Sequence, residues 1–248
     1  GQVWVIDWYN YIVQHNPTPQ GFETGKGMAY ETKLRDKTHG RIYRVVYDGE
    51  KSPAPQFSLT DAPPQQLVAA LSHPTQLWRK HAQRLLVERG ESDVAADLIR
   101  LVQDQQVDSL GLNVGAIHAL WTLHGLNLLD GTHPQATSAA VAALQNPSPG
   151  VRRNALQVLP LVEESTSAVL AARSLNDDHA QVQLAALLAL ADLPASREAG
   201  RQIFAYAQLD DVTGDRWLSD AVVAAAANNS ASFLDAAAAA DAAPEPRL

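Results

Sequence analysis

One five-residue pattern recurs five times along this chain and restricts its fold more than any other feature. Ala82-Gln83-Arg84-Leu85-Leu86, Ala119-Leu120-Trp121-Thr122-Leu123, Ala155-Leu156-Gln157-Val158-Leu159, Ala186-Leu187-Leu188-Ala189-Leu190 and Ala221-Val222-Val223-Ala224-Ala225 share it. Their leading alanines lie 37, 36, 31 and 35 residues apart, the period of a helical repeat array. Three copies extend upstream in register, through Leu71/Pro74/Trp78-Arg79, Leu144/Pro147/Val151-Arg152 and Leu175/Asp178/Val182-Gln183. Apolar positions within a copy recur at steps of three and four, as one face of a helix requires.

Between these helices the sequence places second ones. They run from Ser92 to about Val102, Pro134 to about Leu144, Thr166 to about Leu175, and Arg197 to about Tyr206. Ser92-Asp93 and Ser196-Arg197-Glu198 read as N-terminal caps, which satisfy amide donors that a helix leaves over. Each pair can bury its apolar stripe only against the next pair, so residues 65–241 are predicted to form an α-solenoid of about five helix pairs. An irregular helical bundle is the competing reading. Ala236 to Ala240 favours helix, which must stop by Pro244-Glu245-Pro246, leaving 242–248 as a tail.

Residues 1–64 have a different character. They hold three alanines (Ala29, Ala54, Ala62), four of the five lysines, and charges that cancel, so the whole net charge of −8 belongs to residues 65–248. Val3 to Tyr9 and Arg41 to Tyr47 are rich in β-branched and aromatic residues and read as two strands. A loop with Gly21, Gly25 and Gly27 joins them. Residues 1–50 are thus a short β-ribbon. Prolines 53, 55, 63 and 64 mark residues 51–64 as a linker. Two strands alone are marginal in water, so the ribbon needs more sheet or must lean on the first repeat near Leu67, Trp78 and Leu85. Its unpaired edges also suit a homodimer formed through the ribbon.

Composition then excludes several classes. An acidic chain without a basic run is unsuited to nucleic acid or an anionic membrane surface. No apolar stretch reaches the roughly 18 residues of a membrane span, so direct membrane insertion is not expected, and no signal-peptide pattern is read. With no cysteine, thiol catalysis, thiolate metal sites and haem attachment are outside this sequence. The opening Gly-Gln-Val-Trp-Val-Ile-Asp, already strand-like by residue 3, reads as part of a longer protein.

Candidate chemistry is sparse in the repeats. His118 and His124 lie six apart near Trp121 and do not share a helical face, which favours packing or a surface position over ligation. His73 and His133 precede prolines at helix entrances and suit loop roles. The first 50 residues are richer. Asp7, Asn10, His15, Arg35, Asp36, His39 and Arg41 lie on the strand ends or the loop between them. That set could hold a metal, an anion or a cofactor carboxylate, or could be an ion-pair lattice that fixes the loop. It lacks tight ligand spacing, a Gly-rich phosphate loop, Gly-x-Ser-x-Gly and His-Glu-x-x-His. No metal site and no catalytic residue is assigned to the chain.

Several of these segments carry a family resemblance. The Leu-x-x-Pro-x-x-x-Val-Arg-x-x-Ala pattern resembles HEAT repeats, whose arginine, here Arg79, Arg152 and Arg153, bonds carboxylates or carbonyls of neighbouring repeats. Val5-Ile6-Asp7-Trp8-Tyr9-Asn10, Ile12, His15, Leu34-Arg35-Asp36 and His39-Gly40-Arg41-Ile42-Tyr43-Arg44-Val45 resemble the closing blade of a β-propeller. The family is the membrane-bound dehydrogenases of planctomycetes and related bacteria. These are large exported proteins with a glucose/sorbosone-dehydrogenase-like propeller, HEAT repeats and often a c-type haem domain. Leu71 to Gly90 and Ala119 to Leu126 are similar to the family's first HEAT helices.

The resemblance implies a periplasmic or extracytoplasmic location. For this chain, five repeats without a catalytic constellation point to a non-catalytic scaffold whose partners are a protein or the parent's other domains, and which is expected to hold no cofactor itself. The parent would use pyrroloquinoline quinone, calcium and c-type haem. In the alternative, the ribbon is part of a quinone-dependent sugar or alcohol dehydrogenase, with His15, Arg35, His39 and Arg41 facing the cofactor. This sequence departs from the family in a longer loop, Asn16 to Lys33, and in lacking the other blades and any Cys-x-x-Cys-His.

Overall fold

The computed structural model describes residues 3–7, 38–46, 49, 57–131 and 133–240. The chain divides into two units, Gly1–Phe57 and Ser58–Leu248. It is mainly α, with a short β-ribbon.

In the first unit, β1 (Val3–Asp7) and β2 (Arg41–Val45) pair antiparallel, with a register running from Val3 opposite Val45 to Asp7 opposite Arg41. Alternation sets Trp4 beside Arg44, whose guanidinium lies 5.9 Å from the indole centroid. Large apolar side chains stand exposed on both faces, Trp4 and Ile6 on one and Val3, Val5 and Tyr43 on the other. Trp8, Tyr9 and Tyr47, which the sequence also assigns to the strands, lie outside the described residues.

The second unit opens with a turn at Leu59–Ala62 in which Leu59 is buried. Helix α1 (Pro64–Ala70) follows, starting on the last residue read as linker, because proline at the first helical position forfeits no hydrogen bond. Then come α2 (Gln76–Arg89), α3 (Ala95–Gln103), α4 (Val114–Gly125), α5 (Pro134–Ala142) and α6 (Pro149–Val158). The remainder are α7 (Glu163–Ala171), α8 (Ala180–Asp192), α9 (Arg197–Ala207), α10 (Asp210–Gly214), α11 (Arg216–Asn228) and α12 (Ser230–Ala239).

Contacts sort these helices into two layers. In one, α2, α4, α6, α8 and α11 each pack on the next. In the other, α1 meets α3, α3 meets α5, α7 meets α9, and α9 meets α12. Cross-layer contacts tie α3 to α4, α5 to α6 and α9 to α11. This is the stacking of helix pairs that a solenoid requires. The five leading alanines all fall in the first layer and all are buried. Their small side chains let successive helices approach closely, while Leu86, Leu120, Leu123, Leu187 and Leu190 fill the space between layers.

Several boundaries differ from those read in the sequence. Ser196 caps α9 as predicted, its Oγ accepting from the Ala199 amide at 3.0 Å. Ser92 does not cap. It opens a 3₁₀ turn (Ser92–Val94) ahead of α3, and Asp93 instead takes a bidentate pair from Arg89. Helix α7 begins at Glu163, three residues before the predicted Thr166, with Glu163 and Glu164 placed to favour the helix N-terminus. Unpredicted caps come from Asn113 on α4 and Asp215 on α11. Among the described residues, no helix is long and apolar enough to cross a membrane.

Candidate functional site

Of the four side chains singled out as cofactor contacts, His15 and Arg35 lie outside the described residues, as do Asn10 and Asp36. His39 is exposed just before β2, with Thr38 Oγ1 3.1 Å from its Nδ1. Arg41 donates from Nη1 to Tyr43 Oη at 3.0 Å and stands opposite Asp7 in the ladder. The ribbon therefore brings Asp7, Arg41 and Tyr43 onto one face, because positions two apart on a strand share a side.

The repeat arginines form a built structure. Arg79 donates from Nη1 to the carbonyls of His73 and Pro74 at 2.7 and 2.9 Å. Arg152, at the matching place two repeats on, donates from Nη1 to the carbonyls of Asn146 and Pro147 at 2.9 and 3.2 Å. In the next repeat Gln183 holds this place and donates to the Asp177 carbonyl at 2.6 Å. Each closes the loop at its own helix entrance. Arg152 alone also reaches onward, its Nε and Nη2 donating to Asp177 at 2.6 and 2.7 Å. The position matching Asp177 in the repeat after Arg79 is Leu110, and Arg79 Nε is buried without a hydrogen-bond partner among the described residues. Arg153 is exposed.

Burial pushes the Asp177 carboxyl up, but the Arg152 guanidinium and the His179 amide outweigh it and hold the group below the usual carboxylate range. Arg152 is raised, first by its bond to Asp177. A polar groove of about 500 Å³ lies over this pair, lined by Asn146, Arg152, Arg173, Asn176, Asp177 and Asp178. Asparagines reinforce the loops. Asn113 and Asn146, on successive repeats, both donate to the Asp104 carbonyl, at 2.8 and 3.2 Å.

A second groove, of about 350 Å³, lies between α2 and α4. Trp121, His124 and Gly125 form one wall, and Lys80, Gln83, Arg84, Val87 and Glu88 the other. Trp121 donates from Nε1 to Asn154 Oδ1 at 2.7 Å, and Asn154 is tied to the Gly150 carbonyl at 2.7 Å. His124 meets the indole edge-on, with centroids 5.5 Å apart. His118 is thus a part-buried packing group and His124 an exposed one lying on the Trp121 ring. The groove itself escaped the sequence reading, because its walls come from residues some 37 positions apart whose facing directions depend on helix packing.

His118 sits at the edge of this region with Nδ1 2.6 Å from Gln83 Oε1. Burial, then the positive charges of Arg79 and Lys80, lower its pKa to about 4. An unfolded histidine titrates near 6.5, so between those values the unfolded chain binds a proton that the folded chain refuses. Stability should therefore fall as pH drops from about 6.5 towards 4, by about 1–2 kcal/mol once screening at this half-buried site is allowed for. Urea midpoints at neutral and mildly acid pH measure it, and His118→Gln should flatten the difference. An equal shift in that variant would show that another group titrates.

Among the described residues no three His, Asp or Glu side chains converge as a metal site. One family model, described as Domain of unknown function (DUF7133), matches residues 1–49. The curated proteins yield no match to this chain.

Proposed function

We propose that this chain is a non-catalytic scaffold and protein-interaction region, built of HEAT-type helix pairs, from a larger exported dehydrogenase. The observation that carries this reading is the layered stack with an arginine, or a glutamine in its place, closing helix entrances at Arg79, Arg152 and Gln183. That is the use HEAT repeats make of their arginine. Solenoids of this kind offer extended surfaces to protein partners or to other domains of the same chain. The family match over residues 1–49 supports reading the ribbon as a module of its own, the end of a propeller. A periplasmic or extracytoplasmic location follows from the same reading, as does dimerisation through the ribbon edges. Sedimentation of the chain with and without β1 tests the dimer, which loss of β1 should abolish.

Pyrroloquinoline quinone, calcium and c-type haem belong, on this reading, to the parent. The described ribbon residues do not by themselves fit a quinone. His39 and Arg41 are exposed and lie within hydrogen-bonding distance of their own neighbours Thr38 and Tyr43. A polyanionic cofactor needs converging cations from several blades. The second reading, in which His15, Arg35, His39 and Arg41 complete such a site within the parent, is favoured by one observation: the family match encloses all four.

The test is turnover by the purified chain, supplied with the quinone, calcium, glucose and an electron-accepting dye. No dye reduction above the protein-free control is expected. Reduction that scales with protein concentration would overturn the scaffold reading.

A further inference from the structure

The α2–α4 groove brings exposed cations of α2 beside an indole and an apolar floor. Helix α2 carries Arg79, Lys80, Arg84 and Arg89 in a unit whose sequence is net acidic. Two of these cations are committed: Arg79 to loop carbonyls, and Arg89 to both oxygens of Asp93 at 2.6 and 2.5 Å. The other two line the groove. Lys80 makes no ion pair or hydrogen bond among the described residues and is exposed. Arg84 meets Glu88 at 3.6 Å with both side chains 59% exposed, a pairing worth little in water and easily exchanged for another carboxylate.

Beneath these cations the floor is apolar and rigid. The Trp121 ring is held by its hydrogen bond to Asn154 and its edge-on contact with His124. Gly125 brings α4 against Val87, since a Cβ there would stand 2.7 Å from Val87 Cγ2. Gln83 is held by His118 rather than left free to fill the space. A fixed aromatic wall needs no ordering when something docks on it, which removes one cost of binding.

We propose that this groove docks an acidic protein segment, with an aliphatic or aromatic side chain on the Trp121–Val87 floor and flanking carboxylates on Lys80 and Arg84. Charge complementarity selects the segment's sign, because Lys80 and Arg84 outnumber Glu88 on the α2 rim and the exposed Arg84–Glu88 pair is readily exchanged. The groove is an open trough between two helices. A small molecule would remain largely in water there, whereas small-ligand sites bury most of their ligand. A polypeptide segment spans the trough and gains contacts on both sides of it.

The inference rests on the scaffold reading and names its partner chemistry. The probe is a fluorescein-labelled, end-capped peptide, Glu-Asp-Phe-Glu-Asp-Leu, titrated with the full chain at low salt and followed by anisotropy. The Trp121 indole N–H cross-peak locates the site. Saturable binding that moves that cross-peak is expected. Weakening by roughly tenfold or more is expected in the double variant Lys80→Glu/Arg84→Glu, whose exposed positions should leave the chain folded with only a small fall in Tm from like charges beside Glu88. That variant should in turn bind the charge-reversed peptide, with Lys in place of Glu and Asp. Replacing Phe and Leu by Ser should also weaken binding.

Absence of binding up to millimolar peptide, equal binding of the charge-reversed peptide to the unmodified chain, or binding indifferent to the double variant would each overturn the proposal. Dye reduction in the turnover assay would instead remove the scaffold reading beneath it, whatever the peptide does.

Discussion

Replacing Gly200 by alanine is expected to detach α12 from the rest of the stack. Gly200 lies on α9 directly beneath α12, and a Cβ there would stand 2.7 Å from the Phe233 backbone nitrogen and 2.7 Å from Ser232 Cβ. Backbone cannot swing aside as a long side chain can, so the two helices must part. Alanine gains about 1 kcal/mol of helix propensity over glycine, whereas overpacking of this kind costs about 1–3 kcal/mol. None of the α12 residues is fully buried, and the helix is held mainly by its packing on α9, which includes the Phe204–Phe233 contact and the Ser232 bond to the Ser196 carbonyl. Among the described residues α12 packs on α9 and α11 and not on α4, α6 or α8, so the response should stay local. Amide exchange should become fast in residues 230–239 and remain slow in α4, α6 and α8. Unchanged protection of α12 would show that the helices can part without releasing it.

The second large effect is expected at Arg152→Ala. This change removes the cation from beside Asp177, whose side chain is only 10% exposed, and leaves the carbonyls of Asn146 and Pro147 without their donor. Breaking a fully buried pair costs about 3–5 kcal/mol and an exposed one less than about 1. This partly buried pair should cost about 2–3 kcal/mol, lowering Tm by roughly 4–12 °C for a unit of this size. Acid should mimic the substitution. Because the folded carboxyl titrates below its unfolded value of about 3.9, the pair's contribution is complete above that pH and is lost as pH falls below it. Thermal melts of the unmodified chain should therefore steepen in their pH dependence below about pH 4. Arg152→Ala should show less of that steepening, and identical acid profiles would remove Asp177 from the explanation.

The helix stack was legible because its signal is periodic. Ala82, Ala119, Ala155, Ala186 and Ala221 must all be small to sit between helices, and that shared constraint is visible in one dimension. Elements without it were harder to see. Helix α10 is five residues long, too short for a period, and α12 buries nothing fully, so selection leaves no apolar stripe on it. The upstream register does not extend into the second repeat because Asp108, Gly111, Gly115 and Ala116 stand where the three traced copies carry Leu, Pro or Asp, Trp or Val, and Arg or Gln. There Asp108 builds a turn of its own, accepting from the amides of Leu110 and Leu112. The caps at Asn113 and Asp215 were missed for a related reason: each lies at the end of a loop that carries several other polar residues. Polar pairings such as Trp121 with Asn154, or Tyr206 with Gln183, join residues 33 and 23 apart in sequence and have no local signature. Their existence depends on which faces the stacking turns towards each other.

The way helix entrances are closed has a consequence for how such a chain can change its length over evolution. Arg79 and Gln183 secure loops within their own repeat, so a repeat of that type carries its closure with it when it is copied or lost. Arg152 breaks this independence, since half of its bonds end on the following repeat at Asp177. A duplication that cut between them would strand a guanidinium in one copy and a carboxylate in another. The junction between α6 and α8 is thus a place where the closure of the helix entrances should resist insertion, and the two repeats joined there should be inherited as one block.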